Sequence, residues 1–202
     1  MTKITNKAFA EIVESSLHNW KAHSWQWDSF PAYGSLVTIS QGNTIHIGLV
    51  YEVTTGSMDP TRYPFPFQKT EEELLVEQPQ IFEFLRTTFS SITLGYYAKG
   101  SLYYTAPPHP AKMHAFIEPI SHELRMQFFS KTFYIHRIFS LTSYITNIDD
   151  LLIAMLLEQN TYKPISRKNF TQFMQTYSLL TGNEYRRIKL FLQRMPFISS
   201  SI

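Results

Sequence analysis

Cysteine is absent from this chain of 202 residues. That excludes a disulfide framework, an iron–sulfur cluster, a thiolate zinc site and a cysteine nucleophile, so any metal would rest on histidine and carboxylate ligands alone. Glycine is scarce as well, at seven residues. Neither G-x-x-x-x-G-K-[ST] nor G-x-G-x-x-G occurs, which leaves ATP hydrolysis and dinucleotide chemistry without a phosphate cradle. G-x-S-x-G, H-E-x-x-H and the acidic calcium loop are missing too. No apolar run approaches the roughly 18 residues of a membrane span. The start MTKITNKAFAEIVE lacks the apolar centre of a signal peptide, and a cytoplasmic protein without a membrane span is the expectation.

What is present is a hydrophobic fraction of 44% and an aromatic fraction of 15%. These suffice for one fairly large domain or two small packed ones and exclude a disordered chain. The net charge of +2 hides an asymmetry: residues 1–120 carry eight Lys/Arg against eleven Asp/Glu, and residues 121–202 carry ten against five. The basic excess gathers near the end of the chain, where Arg167, Lys168, Arg186, Arg187 and Lys189 are candidate phosphate contacts. A solvated helix face accounts for the same residues.

Up to residue 120 the pattern favours β-structure. GSLVTIS (34–40) and IHIGLVYEV (45–53) are β-branched runs around Gln41-Gly42-Asn43 and predict a hairpin. In the second run Ile45, Ile47, Leu49, Tyr51 and Val53 fall on one face, with His46, Val50 and Glu52 on the other. SSITLGYYA (90–98) and SLYYTA (101–106) turn at Lys99-Gly100, and this meander suggests a barrel or a strongly bent sheet. Between the hairpins, Thr70 and Glu73 match a capping box and predict a short helix over 71–78. Pro79 can open a second turn through Phe84. The preceding TRYPFPF is extended and proline-stiffened, placing Tyr63, Phe65 and Phe67 on one face. The first 27 residues fit either an amphipathic helix (Ile4, Ala8, Phe9, Ile12, Val13, Leu17, Trp20) or two strands around Leu17-His18.

Beyond Pro119 the period becomes helical. SHELRMQFFS, ITNIDDLLIAMLLEQ, SRKNFTQFMQTYSLL and NEYRRIKLFLQRM read as helices, with Ser121 and Ser166 as caps and Gly182 as a stop. The last two predict an αα-hairpin. Asp149-Asp150 is explained as helix-start charge.

TAPPHPAKMHAF (105–116) holds the one close histidine pair worth weighing. Pro107, Pro108 and Pro110 forbid helix around His109, and the odd spacing to His114 in an extended segment puts the two rings on opposite sides. Shared metal ligation is therefore disfavoured, and the stretch is read as a stiff exit from the last barrel strand towards the helices. No metal, cofactor or catalytic residue is expected.

Four segments in order resemble the HAS-barrel family, the domain shared by the HerA helicase and rotary ATP synthases. They are FAEIVESS (9–16), the hairpin YGSLVTI with IHIGLVYEVTTG, the run EEELLVEQPQIFEFLRTTFSSITLGY (71–96), and PPHPAKMHAF (107–116). The resemblance spans about residues 8–140 and implies an α+β protein: a small antiparallel β-barrel over 1–120 with a helical insertion near 70–86, then a helical extension over 121–202 packed on it. It also implies strands in place of a helix before residue 27. In the family the barrel is a docking and assembly platform while an attached motor performs the chemistry, and this chain carries no such motor.

The leading expectation is thus a non-catalytic module that docks onto a protein partner, with a ring ATPase or a nuclease-containing DNA-processing complex suspected. Its candidate contacts are Tyr63, Phe65, Phe67, Pro107, Pro108, His109, Pro110 and His114. The three aromatic residues would serve equally to cover the barrel's own core. The alternatives are nucleic-acid binding through the basic helices and a His-dependent hydrolase, which needs His109 or His114 beside a carboxylate such as Glu83 or Glu118.

Overall fold

A computed structural model describes residues 7–59 and 65–195. Its strands are β1 (Ala10–Ser15), β2 (Asn19–Ser24), β3 (Leu36–Gln41), β4 (Thr44–Ser57), β5 (Leu85–Ala98), β6 (Ser101–Tyr103) and β7 (Phe116–Pro119). Its helices are α1 (Glu71–Glu77), α2 (Gln80–Glu83), α3 (His122–Phe128), α4 (Phe133–Phe139), α5 (Ile148–Tyr162), α6 (Arg167–Leu180) and α7 (Tyr185–Gln193), with a 3₁₀ turn at Thr142–Tyr144. The sheet order β2-β1-β7-β3-β4-β5 closes through a β2–β5 pairing, giving a six-stranded antiparallel barrel in an α+β protein. Closure removes the open edges that make a free sheet prone to association.

Residues 10–24 form strands because only alternation buries the right side chains. Ala10, Ile12, Trp20 and Ala22 enter the barrel interior, while Val13 and Leu17, which a helical stripe would bury, remain exposed. Ser16 turns the chain: its N–H donates to the Asn19 carbonyl at 2.8 Å and its hydroxyl accepts from the Asn19 N–H at 3.1 Å.

The interior is small, so it is filled by a few large rings among alanines. Trp20 meets Phe89 edge-on at 6.2 Å, with Val37, Ile39, Val50 and Ile117 around them. Gly48 lies against the indole; a Cβ there would sit 2.4 Å from Trp20 Cζ2. A side chain at 48 and an indole at 20 therefore compete for one volume.

The outer faces of β3, β4 and β5 carry Leu36, Ile47, Leu49, Ile92 and Leu94, which join the helices in a second and larger core. Gly34 marks the tightest approach of the two layers. Its φ is +83°, and a Cβ would lie 2.7 Å from the Ala154 backbone of α5, so glycine is demanded twice over. Tyr104 seals another part of the seam: its hydroxyl donates to the Phe128 carbonyl at 2.6 Å, and burial pushes its pKa up to about 12.

Three sequence expectations change. SLYYTA is not a barrel strand, since β6 is three residues long and only extends the edge of β5. The proline-rich stretch does not lead directly to the helices; it returns as β7, inserted between β1 and β3, and the chain leaves the barrel after Pro119. Val53 does not share the face of Ile47 and Leu49. The register shifts between Val50 and Glu52, and that extra residue turns Val53 to the interior with Val50.

Candidate docking surface

β4 and β5 are both 14 residues long and pair from Thr44↔Ala98 to Ser57↔Leu85, so they carry an arm over residues 58–84. Its root is firmly held. Phe82 stacks on Trp27 at 5.4 Å, the Met58 N–H donates to the Phe84 carbonyl at 2.8 Å, and the Thr87 hydroxyl donates to the Trp27 carbonyl. The expected capping box is formed: Glu73 N–H donates to Thr70 Oγ1 at 3.2 Å, and Thr70 N–H to Glu73 Oε2 at 2.8 Å. Three glutamates in the first turn favour the same helix end.

Neither α1 nor α2 buries a single residue. Phe65 is 74% exposed and Val76 84%, with Met58, Leu75 and Phe84 also exposed. Phe65 and Phe67 touch one another edge-on at 6.1 Å and do not cover the barrel core. Tyr63 lies outside the described residues. Residues 65–84 hold five glutamates against one lysine, and Lys69 pairs with Glu77. The arm is thus acidic and apolar together.

The proline segment is elsewhere. Pro107 is buried, while Pro108, His109 and Pro110 are exposed. Ala111 joins the interior cluster, and the Lys112 N–H donates to Gln41 Oε1 at 2.9 Å, beside the β3–β4 turn. That turn is the end of β4 away from the arm, so the structure does not bring Phe65 and Phe67 together with His109 and His114. His114 adopts φ +62° and places Nδ1 2.5 Å from Glu11 Oε1 on the surface. Its carboxylate neighbour is Glu11, not Glu83 or Glu118. Among the described residues no group of three or more His, Asp or Glu is placed to hold a metal ion.

The basic candidates divide. Arg187 is consumed by Asp149, donating from Nε to Oδ2 at 2.9 Å and from Nη2 to Oδ1 at 2.8 Å, while the Tyr177 hydroxyl donates to the same carboxylate at 3.0 Å. Asp149 and Asp150 therefore do not cap α5. Asn147 does, accepting from both of their N–H groups, and Asp150 pairs with Arg194. Arg186 and Lys189 share an exposed face of α7. Arg167 and Lys168 stand at the start of α6, about 20 Å from its far end at 1.5 Å per residue. Since Phe191 packs on Phe173 and Tyr177, α7 runs back along α6 and Arg186 lies at that far end.

Fold and surface together define a closed-barrel α+β protein with a rigidly rooted, exposed acidic arm. No protein-family model matches the chain, and no curated protein matches it. No helix among the described residues is long and apolar enough to cross a membrane.

Proposed function

We propose that this protein is a non-catalytic docking module whose β4–β5 arm seats against a protein partner. The observation that carries the reading is the arm itself: its two helices bury no residue, and with their flanks they present Phe65, Leu75, Val76 and Phe84 to solvent. Apolar groups held on a rooted element gain area on binding at little ordering cost. The glutamates select a partner face where an apolar groove is rimmed by lysine and arginine. The resemblance to HAS-barrel proteins supports the same reading and suggests an ATPase or nuclease assembly as the partner.

The test replaces Leu75 and Val76 with aspartate and compares photo-crosslinking from position 84 with crosslinking from position 178 on the helical layer. Position 84 is expected to capture a defined partner that L75D/V76D loses while its circular dichroism stays native. Equal capture by the folded variant, or equal yields from both positions, overturns the proposal.

A further inference from the structure

A cavity of about 400 Å³ opens between the barrel rim and the helices, bounded by the Ser29–Val37 stretch, Pro119, α3 and α5. Its wall is divided between a polar side, with Lys7, Arg125 and Glu158, and an apolar side that includes Phe9, Phe30, Pro31 and Leu36. Ser35 brings little to it, because its hydroxyl already donates to the Ala32 carbonyl at 2.7 Å.

Arg125 of α3 faces this space. The residue is only 3% exposed, yet among the described residues nothing accepts a hydrogen bond from its guanidinium. The guanidinium lies over the Tyr162 ring, 3.7 Å from its carbon to the ring centroid. Glu158 on α5 lines the same cavity without closing an ion pair. Lys7 adds a second cation at the wall. A buried arginine normally satisfies several of its five donors; here the donors are left to whatever fills the cavity. Its flat fork matches the two oxygens of a carboxylate, and the apolar side of the wall matches a hydrocarbon body. Burial also pulls the guanidinium pKa downwards, against smaller opposing pulls from Tyr162 and Glu158, so an anion arriving there would relieve an existing penalty.

We propose that this cavity binds a small carboxylic acid with an apolar body, its carboxylate on Arg125 and Lys7 and its body against Phe9, Phe30 and Leu36. The site is independent of the docking arm.

Calorimetric titration of the full chain with phenylpropanoate, phenylpropanol and inorganic phosphate tests it. The acid is expected to bind at least about tenfold more tightly than the alcohol, in line with a charge-assisted bidentate contact, and phosphate to bind more weakly than the acid. Arg125→Met keeps the stem over Tyr162 and should reduce the acid to the level of the alcohol. If that variant fails to fold by circular dichroism, Lys7→Ala takes its place, with a loss of about threefold or more in acid affinity for an exposed charge. The proposal is overturned if acid and alcohol bind alike, if neither binds, if phosphate binds as well as the acid, or if the deciding variant keeps full affinity for the acid.

Discussion

Gly48→Ala adds a single methyl group, and its effect can be worked out from the barrel interior. The new Cβ would lie 2.4 Å from Trp20 Cζ2 and 3.2 Å from Ser91 Cβ. Trp20 is 2% exposed and Phe89 stands edge-on beside it, so the indole has no free volume to swing into. Overpacking of this kind costs about 1–3 kcal/mol, and a chain of this size loses about 2–4 °C in Tm for each kcal/mol. Trp20→Phe should remove the clash. It loses packing, but it also deletes Trp20 Nε1, a buried donor without a hydrogen-bond partner among the described residues. An unpaired buried donor costs about 1–3 kcal/mol, so the two effects of Trp20→Phe largely offset each other. Urea unfolding followed by far-ultraviolet circular dichroism gives the four stabilities of the double-mutant cycle. Gly48→Ala is expected to destabilise the native protein and to be nearly silent beside Phe at position 20, a coupling of about 1 kcal/mol or more. A neutral Gly48→Ala, or additive effects of the two substitutions, would refute the shared-volume argument.

Two further outcomes follow from buried polar groups. His46 is 4% exposed and its pKa is lowered by burial from 6.5. The unfolded chain then binds the proton more readily, so stability is full above about pH 6.5 and is lost as the pH falls towards the folded-state value. Stability curves for His46→Gln should be flatter between pH 7 and about 5, and an unchanged slope would show that His46 is not the titrating group. The Asp149–Arg187 pair ties α7 to α5 with side chains one fifth to one third exposed. Arg187→Met should cost about 1–2 kcal/mol, above a fully exposed pair and below a fully buried one, and proteolysis should then begin within α7. Cleavage unchanged from the native pattern would count against the clamp.

The sequence makes α5, α6, α7 and the two hairpin strands visible because each is long enough for its period to show, and α3 through its Ser121 cap. Shorter elements escape. β7 is four residues, FIEP, directly behind a proline-rich stretch, and its strand character comes from the slot between β1 and β3 and not from its own pattern. α4 lacks a side-chain cap at Thr132 and begins Phe-Tyr-Ile, residues that favour strands as much as helices. The β4 bulge leaves no mark in composition, and a one-residue slip reverses the side on which Val53 falls. In the arm the capping box was legible because it is local chemistry. The exposure of Phe65 and Phe67 was not, since an aromatic residue reads the same whether it covers a core or awaits a partner.

Charge, which suggested phosphate binding when counted along the chain, acquires a different meaning once placed. Four arginines of the basic half are engaged by the chain itself: Arg187 and Arg194 hold Asp149 and Asp150, Arg137 donates to the Thr93 carbonyl at 3.1 Å, and Arg125 lies over Tyr162. Planar, multiply donating guanidinium groups suit that work better than ammonium groups do. The cations left exposed at Arg167 and Lys168 stand a helix length from Arg186, so they do not form one phosphate-spaced cluster. On the acidic side, Glu71, Glu72 and Glu83 project from two helices that bury no residue, among exposed apolar side chains. On the arm the charge available to a partner is therefore negative, and that favours a basic protein surface over a polyanion at this end of the molecule.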